Sequence, residues 1–109
     1  MARAFNLKDV IGDVSTMTAA GSSQSDAQPL AAAMVEVTAV TAGQGVRLRA
    51  QGPGTISVVS NGDDTEALNV YPWTGAAFNG KSANLPLVLA YGDAAMFVEI
   101  SATKIAVIT

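Results

Sequence analysis

The sequence contains no cysteine and no histidine among its 109 residues. The missing cysteine excludes disulfides, thiol catalysis, zinc–thiolate sites and iron–sulfur clusters. The missing histidine removes the side chain that most often acts as a general base near neutral pH. A serine nucleophile would therefore need a lysine, such as Lys81 or Lys104, as its base. We predict from this inventory that the chain is not an enzyme, and that it has no cofactor and no metal.

Charge is also scarce, because charged residues make up 14% of the chain and the net charge is −3. A weakly charged surface suits a protein whose outer faces are covered by copies of itself or by a partner, although a small domain with a Ser/Thr/Asn-rich surface is the plainer alternative. The six basic residues form no stripe, which argues against nucleic acid as a partner. They are Arg3, Lys8, Arg47, Arg49, Lys81 and Lys104.

Long apolar runs are absent as well. No run approaches the roughly 20 residues of a membrane span, so we predict no membrane contact. The N-terminus has no apolar core of a secretory signal, which predicts a protein that is made in the cytoplasm and stays there unless a larger particle carries it out. The composition divides the chain into two parts. Residues 1–33 are rich in small polar residues and predict an extended N-terminal arm, whereas residues 34–109 predict a compact β domain.

The second part alternates apolar and polar residues in short runs between turns. Val35 and Val37 in one run, and Val46 and Leu48 in the next, occupy every second position, which indicates strands with one buried face. The same alternation predicts further inward-facing side chains at Ile56, Val58, Met96, Val98 and Ile100. About seven or eight short strands with no helix between them predict a single antiparallel β-sandwich or a small jelly-roll-like barrel.

Two local clusters are candidates for binding. Asp63, Asp64 and Glu66 place three carboxylates within four positions, as a calcium loop would, but they lack the spacing of an EF-hand and also fit a solvated turn. Tyr71 and Trp73 follow one another at the end of a strand. They indicate either an exposed patch for a sugar ring or a protein, or a cap on one end of the core.

Residues 34–109 resemble a module found in small structural proteins of phages. The resemblance lies in the run Ala67-Leu68-Asn69-Val70-Tyr71-Pro72, the later Asn79-Gly80 turn, and the preceding pair of strands that ends at Asn61-Gly62. Phe78 stands where the module tends to have isoleucine, and Trp73 where a small residue is usual. Such modules occur in capsid decoration proteins and in head or tail fibres. The resemblance thus implies a virion component without catalytic residues.

Our leading hypothesis is a phage capsid decoration (cement) protein on the exterior of the virion. Its partner would be the major capsid protein, and it would assemble as a homotrimer, with a dimer as the alternative. The arm would lie across a neighbour, anchored by Phe5, Leu7, Val10 and Ile11. A fibre or adhesin module that binds host glycans through Tyr71 and Trp73 is the second hypothesis, and a small cellular binding module is the third.

Overall fold

The computed structural model describes residues 14–109, and within them it forms ten β-strands and no helix. The prediction of an all-β fold is confirmed. The strands outnumber the seven or eight expected, partly because two of them, β2 and β7, are only two residues long. In chain order they are β1 (Ser15–Thr18), β2 (Gln28–Pro29), β3 (Met34–Ala39), β4 (Gly45–Arg47), β5 (Ile56–Asn61), β6 (Leu68–Tyr71), β7 (Ala77–Phe78), β8 (Leu87–Leu89), β9 (Ala94–Ser101) and β10 (Lys104–Ile108).

The strands form a large sheet in the order β1-β3-β5-β9-β10-β7 and a small sheet in the order β2-β4-β6-β8. From β1 to β6 the chain alternates between the two sheets, and each strand from β3 onward pairs in parallel with the strand two before it. This path is a solenoid-like winding. The prediction of an antiparallel arrangement is therefore wrong for these six strands, because consecutive strands enter different sheets instead of forming hairpins.

Antiparallel pairing is confined to the later strands. β8 pairs with β6, and β9 lies between β5 and β10, antiparallel to both. β7 joins the far edge of the large sheet by pairing in parallel with β10. The result is a pair of mixed sheets in which a parallel winding is closed by a mostly antiparallel segment.

The predicted boundary between an arm and a domain falls inside the fold. Residues 15–33 contain β1 and β2, and Ala19, Ala27 and Leu30 are buried in the core region. The polar stretch after β1 is an ordered turn, in which Gly21 has a φ of +81° and packs against the Asp26 carbonyl. Only residues 1–13 of the predicted arm remain as a candidate arm, and they lie outside the described residues.

The core is one buried cluster that draws side chains from both sheets. Val35 and Val59 enter it from the large sheet, and Val46 and Val70 enter it from the small sheet. The largest rings in it are Phe78 and Phe97, whose centroids lie 5.4 Å apart in a tilted arrangement. Tilted aromatic pairs of this kind stabilise a core beyond the area that they bury.

The inward face of the large sheet differs from the one predicted. Val35, Val37, Val46 and Leu48 are buried as expected, but β5 and β9 face the opposite way. The residues that enter the core are Val59 in β5, and Ala95, Phe97 and Glu99 in β9. Ile56, Val58, Met96, Val98 and Ile100 lie on the outer face instead. The prediction failed because both faces of these strands are apolar, so alternation alone did not distinguish them.

Candidate functional site

Acidic side chains do not gather into a metal-binding cluster in residues 14–109. No group of three or more Asp and Glu side chains is spaced to hold a metal ion there. One catalytic pattern was overlooked in the sequence, because Ser101 and Lys104 have the Ser-x-x-Lys spacing. These residues flank the turn between β9 and β10, where the Ser101 hydroxyl accepts a hydrogen bond from the Thr103 amide at 3.3 Å and Lys104 is exposed. The absence of enzymatic activity stays a prediction.

Glu99 is a buried carboxylate that the sequence did not single out. It is 5% exposed, and its two oxygens accept hydrogen bonds from the amides of Gln51 at 2.9 Å and Gly52 at 3.1 Å. The Thr55 hydroxyl approaches the same carboxylate at 3.4 Å. A buried charge is tolerated when several donors surround it. Glu99 therefore holds the loop between β4 and β5 against β9.

The candidate calcium loop is organised around Asp63. Its Oδ1 accepts a hydrogen bond from the Val40 amide at 3.2 Å, and its Oδ2 accepts bonds from the amides of Thr65 at 3.0 Å and Glu66 at 2.8 Å. These amides, first that of Thr65, lower the pKa of the Asp63 carboxyl below its ordinary value of 3.8. The carboxylate thus fastens its own loop to the end of β3, which is the solvated-turn interpretation of the sequence.

Asn61 connects this loop to the rest of the fold and is fully buried. Its Nδ2 donates to the carbonyls of Glu66 at 2.9 Å and Leu89 at 3.1 Å, and its Oδ1 accepts from the Asp63 amide at 3.0 Å. Asn61 is therefore both the last residue of β5 and a side-chain anchor between the two sheets.

Tyr71 and Trp73 do not form an exposed aromatic platform. Tyr71 is buried, and its hydroxyl donates to the Ser22 carbonyl at 3.3 Å. Trp73 is half-buried against the core, and its Nε1 donates to the Ala102 carbonyl at 2.8 Å. Both aromatics close the fold over neighbouring turns, as the core-cap interpretation expects. The other predicted contact residues, Phe5, Leu7, Val10 and Ile11, lie outside the described residues.

The outer face of the large sheet carries two rows of apolar side chains. The register aligns Met34, Val58, Met96 and Ile108 in a row across β3, β5, β9 and β10. A second row of Ile56, Val98 and Ala106 crosses the last three of these strands. Ile100 and Ile108 are 50% and 57% exposed. Contiguous exposed apolar area is a common feature of contact surfaces.

A second exposed apolar surface follows β8, the edge strand of the small sheet. Val88 in this strand is 59% exposed, and Leu85 and Tyr91 on either side of it are similarly exposed. The buried neighbour Leu89 points into the core, so alternation directs Val88 away from it. The two apolar surfaces belong to different sheets.

An open depression between β7 and β10 is lined by Asn79, Lys81 and Lys104 among others. Both lysines are exposed, and no buried side-chain nitrogen or oxygen in residues 14–109 lacks a hydrogen-bond partner. The depression therefore has no buried, unpartnered polar side chain that is positioned to bind a ligand.

Comparisons of the chain with protein-family models, with curated proteins and with solved structures found no match. The resemblance to phage structural modules consequently stays a prediction. The described residues contain no helix with the length and apolarity needed to cross a membrane.

Proposed function

We propose that this chain is a phage capsid decoration (cement) protein that binds the outer surface of the head and bridges neighbouring subunits. The observation that carries the proposal is exposed apolar area on both sheets, at Ile100 and Ile108 on the large sheet and at Val88 on the small sheet. Two sheets that share one core turn their outer faces in opposite directions. A protein with such faces on both sides is suited to lie between neighbours.

The low charge of the chain supports the same proposal. Charged residues are 14% of the sequence, so little desolvation of charge opposes contact with a protein surface. Decoration proteins occupy many equivalent positions on a head, and a modest contact repeated at each position stabilises the whole shell. The partner in this proposal is the major capsid protein, and the site of action is the exterior of the virion.

The N-terminal segment supplies a further contact in this proposal. Phe5, Leu7, Val10 and Ile11 precede β1, which lies at the edge of the large sheet. An edge strand offers backbone N–H and C=O groups for strand addition, and apolar anchors add side-chain contacts. We propose that these four residues attach the protein to a neighbouring subunit.

Binding to heads tests the proposal directly. The full-length chain is mixed with heads that lack it, assembled from the major capsid protein of the virus that encodes the chain. Bound copies per head are then counted after gradient sedimentation. We expect saturable binding and a higher temperature of head disruption. Heads that bind no copies of the folded chain would contradict the proposal.

Two variants locate the capsid contact. We expect Val88→Lys to weaken binding about tenfold or more, because it places a charge in an apolar contact. Ser82→Lys, at an exposed polar position of the preceding loop, is the matched control and should bind normally. Removal of residues 1–13 should abolish binding while circular dichroism stays that of a β protein. Unchanged occupancy after this deletion would refute the role of the arm.

The glycan-binding alternative receives no specific support from the aromatic pair. Stacking on a sugar ring requires an exposed aromatic face, whereas Tyr71 is buried and Trp73 is half-buried with its Nε1 engaged. A glycan array provides the test, and binding that is lost in Trp73→Ala but retained in Tyr91→Ala would favour this alternative over decoration.

A further inference from the structure

The outer face of the large sheet has a charge pattern that points to one particular partner. Among the strand residues on this face, the charged ones in the described chain are Glu36 on β3 and Lys104 on β10, and both are exposed. Between them lie the apolar rows of Met34 and Ile56 described above. Lys104 aligns with Ala77 in β7. The next residue in β10, Ile105, is fully buried, so the side chain of Lys104 projects from the outer face.

Glu36 and Lys104 occupy diagonally opposite corners of the apolar area. Glu36 aligns through Ser60 with Ala94, which begins β9, whereas Lys104 aligns with Ser101, which ends it. β3 and β10 are separated by β5 and β9 in the sheet order. A two-fold axis that lies in the plane of the face, perpendicular to the line from Glu36 to Lys104, exchanges these two corners. Stacking on a second copy about that axis places each Glu36 against the Lys104 of the partner.

We propose that this outer face is a homodimer interface, in which two copies stack face to face and form two Glu36–Lys104 pairs around an apolar centre. This axis makes the strands of the two copies cross at roughly 65°, because the two corners are three strands and about seven residues apart. Each copy uses the same surface, as a two-fold interface requires.

The size of the face agrees with a dimer. Strands about 4.8 Å apart that rise about 3.3 Å per residue give the six-stranded face a planar area of roughly 500 Å². Two copies would bury roughly 1,000 Å² in total, which lies at the low end of specific interfaces and agrees with a dimer of modest affinity. The apolar rows lie at the centre and the charges at the rim, which is the usual anatomy of a specific interface.

The interface goes beyond the decoration proposal, because it concerns two copies of the chain and requires no capsid. It favours the dimer over the trimer that we expected from the sequence. It also leaves the β8 surface on the opposite side free to contact a different subunit.

Sedimentation equilibrium of the full-length chain tests the inference. We expect a monomer–dimer equilibrium, with dimers at micromolar concentrations. Ile100→Lys and Ile108→Lys should each weaken dimerisation at least about 100-fold, because the two-fold axis buries the new charge twice. Both positions are at least half exposed, so the variants should fold. Val88→Lys on the opposite sheet is the matched control and should dimerise normally.

A charge-exchange series tests the diagonal geometry. Glu36→Lys and Lys104→Glu should each weaken dimerisation roughly tenfold, because each leaves two like-charged pairs at the rim. The double variant should recover the original dissociation constant, since the pairs are restored with reversed signs. Double-variant binding no better than that of the weaker single variant would overturn the pairing.

Three results would overturn the interface itself: a monomer at about 100 μM, a trimer, or a dimer that both Ile→Lys variants leave intact. These outcomes are distinct from failure of the decoration proposal. A monomer that still binds heads refutes only the dimer interface. A dimer that binds no heads refutes only the decoration role.

Discussion

The winding from β1 to β6 and the closing segment from β7 to β10 use different physical means to stay folded. In the winding, the backbone repeats itself: the Gly45 amide donates to the Gly21 carbonyl at 3.0 Å, and Gly45 aligns with Asn69 one turn later. In the closing segment, Phe78 and Phe97 supply the largest rings of the core. The stacked turns of the winding require backbones that approach each other closely, whereas the closing segment requires large side chains that fill the core.

The two regions meet at the buried side chain of Asn61. Asn61 ends β5, the last strand of the winding in the large sheet, and its side chain reaches the Leu89 carbonyl in β8. Its backbone amide also donates to the Asp93 carbonyl just before β9, at 2.8 Å. Asn61 therefore joins the winding both to β8 and to the start of β9 in the closing segment.

Loss of an aromatic ring should damage the closing segment most. We expect Phe97→Ala to lower the free energy of unfolding by about 3–5 kcal/mol, because it removes a buried ring that packs on Phe78 and leaves a cavity. Chemical denaturation measures this loss. Ile100→Ala in the same strand is the control, and its half-exposed side chain should cost less than about 1 kcal/mol. Equal losses would contradict the inward orientation of Phe97.

Loss of the junction should follow. We expect Asn61→Ala to destabilise the chain by about 3 kcal/mol, because the carbonyls of Glu66 and Leu89 and the Asp63 amide all lose their partner. Asn69→Ala, whose amide makes a single exposed bond of 3.3 Å to the Gly43 carbonyl, should cost about 0.5 kcal/mol. Hydrogen exchange adds a local readout: amides of β8 and β9 should lose protection in the first variant and keep it in the second.

A methyl group in the winding tests the close approach of its backbones. A Cβ on Gly45 would overlap the Asn69 carbonyl in the next turn, which has little freedom to move. We expect Gly45→Ala to cost about 2 kcal/mol, within the usual range for overpacking. Gly62→Ala is the matched control, because its Cβ meets only the flexible Glu36 side chain. A neutral Gly45→Ala would mean that the turns do not stack as described.

Acid should release the loop that Asp63 fastens to β3. Because hydrogen bonds lower the pKa of Asp63 in the folded state, its ionised form adds stability above its ordinary pKa of 3.8. That contribution disappears as the pH falls from about 3.8 through the lower folded-state pKa. Stability measured against pH should therefore fall less steeply below pH 4 in Asp63→Asn than in the original chain. An unchanged slope in Asp63→Asn would contradict this role of the Asp63 carboxylate.

Local pattern was enough to predict strands, turns and part of the core, but not the pairing of the strands. The alternation of Val35, Val37, Val46 and Leu48 identified buried positions correctly, because polar residues separate them. The same rule failed for β5 and β9, where Ile56, Val58, Met96 and Val98 compete with Val59 and Phe97 for the inside. The parallel winding was missed as well. Its turns in the large sheet advance by 20 and then 24 residues (35 − 15 and 59 − 35), so they leave no fixed period.

Two buried side chains, Glu99 and Tyr71, also owe their positions to contacts that are distant in the sequence. Glu99 lies between Val98 and Ile100, which the alternation predicted to face inward, and only the amides of Gln51 and Gly52, about 48 positions away, explain its burial. Tyr71 looked equally suited to a binding patch and to a core cap. The Tyr71 hydroxyl donates a hydrogen bond to the Ser22 carbonyl, 49 positions earlier, and this contact favours the core-cap interpretation. Contacts over such separations are not encoded in any local pattern.

By itself, the sequence determined that this is a weakly charged all-β chain without cysteine or histidine, because strand propensity, turns and composition are local properties. The tertiary structure decided that the strands wind in parallel before they close, which face of the large sheet is buried, and where Glu36 and Lys104 lie around the apolar rows. The physical reason is that a strand with two apolar faces can bury either one. The choice between them depends on which side finds Phe78, Val46 and the donors for Glu99, and those groups come from distant parts of the chain.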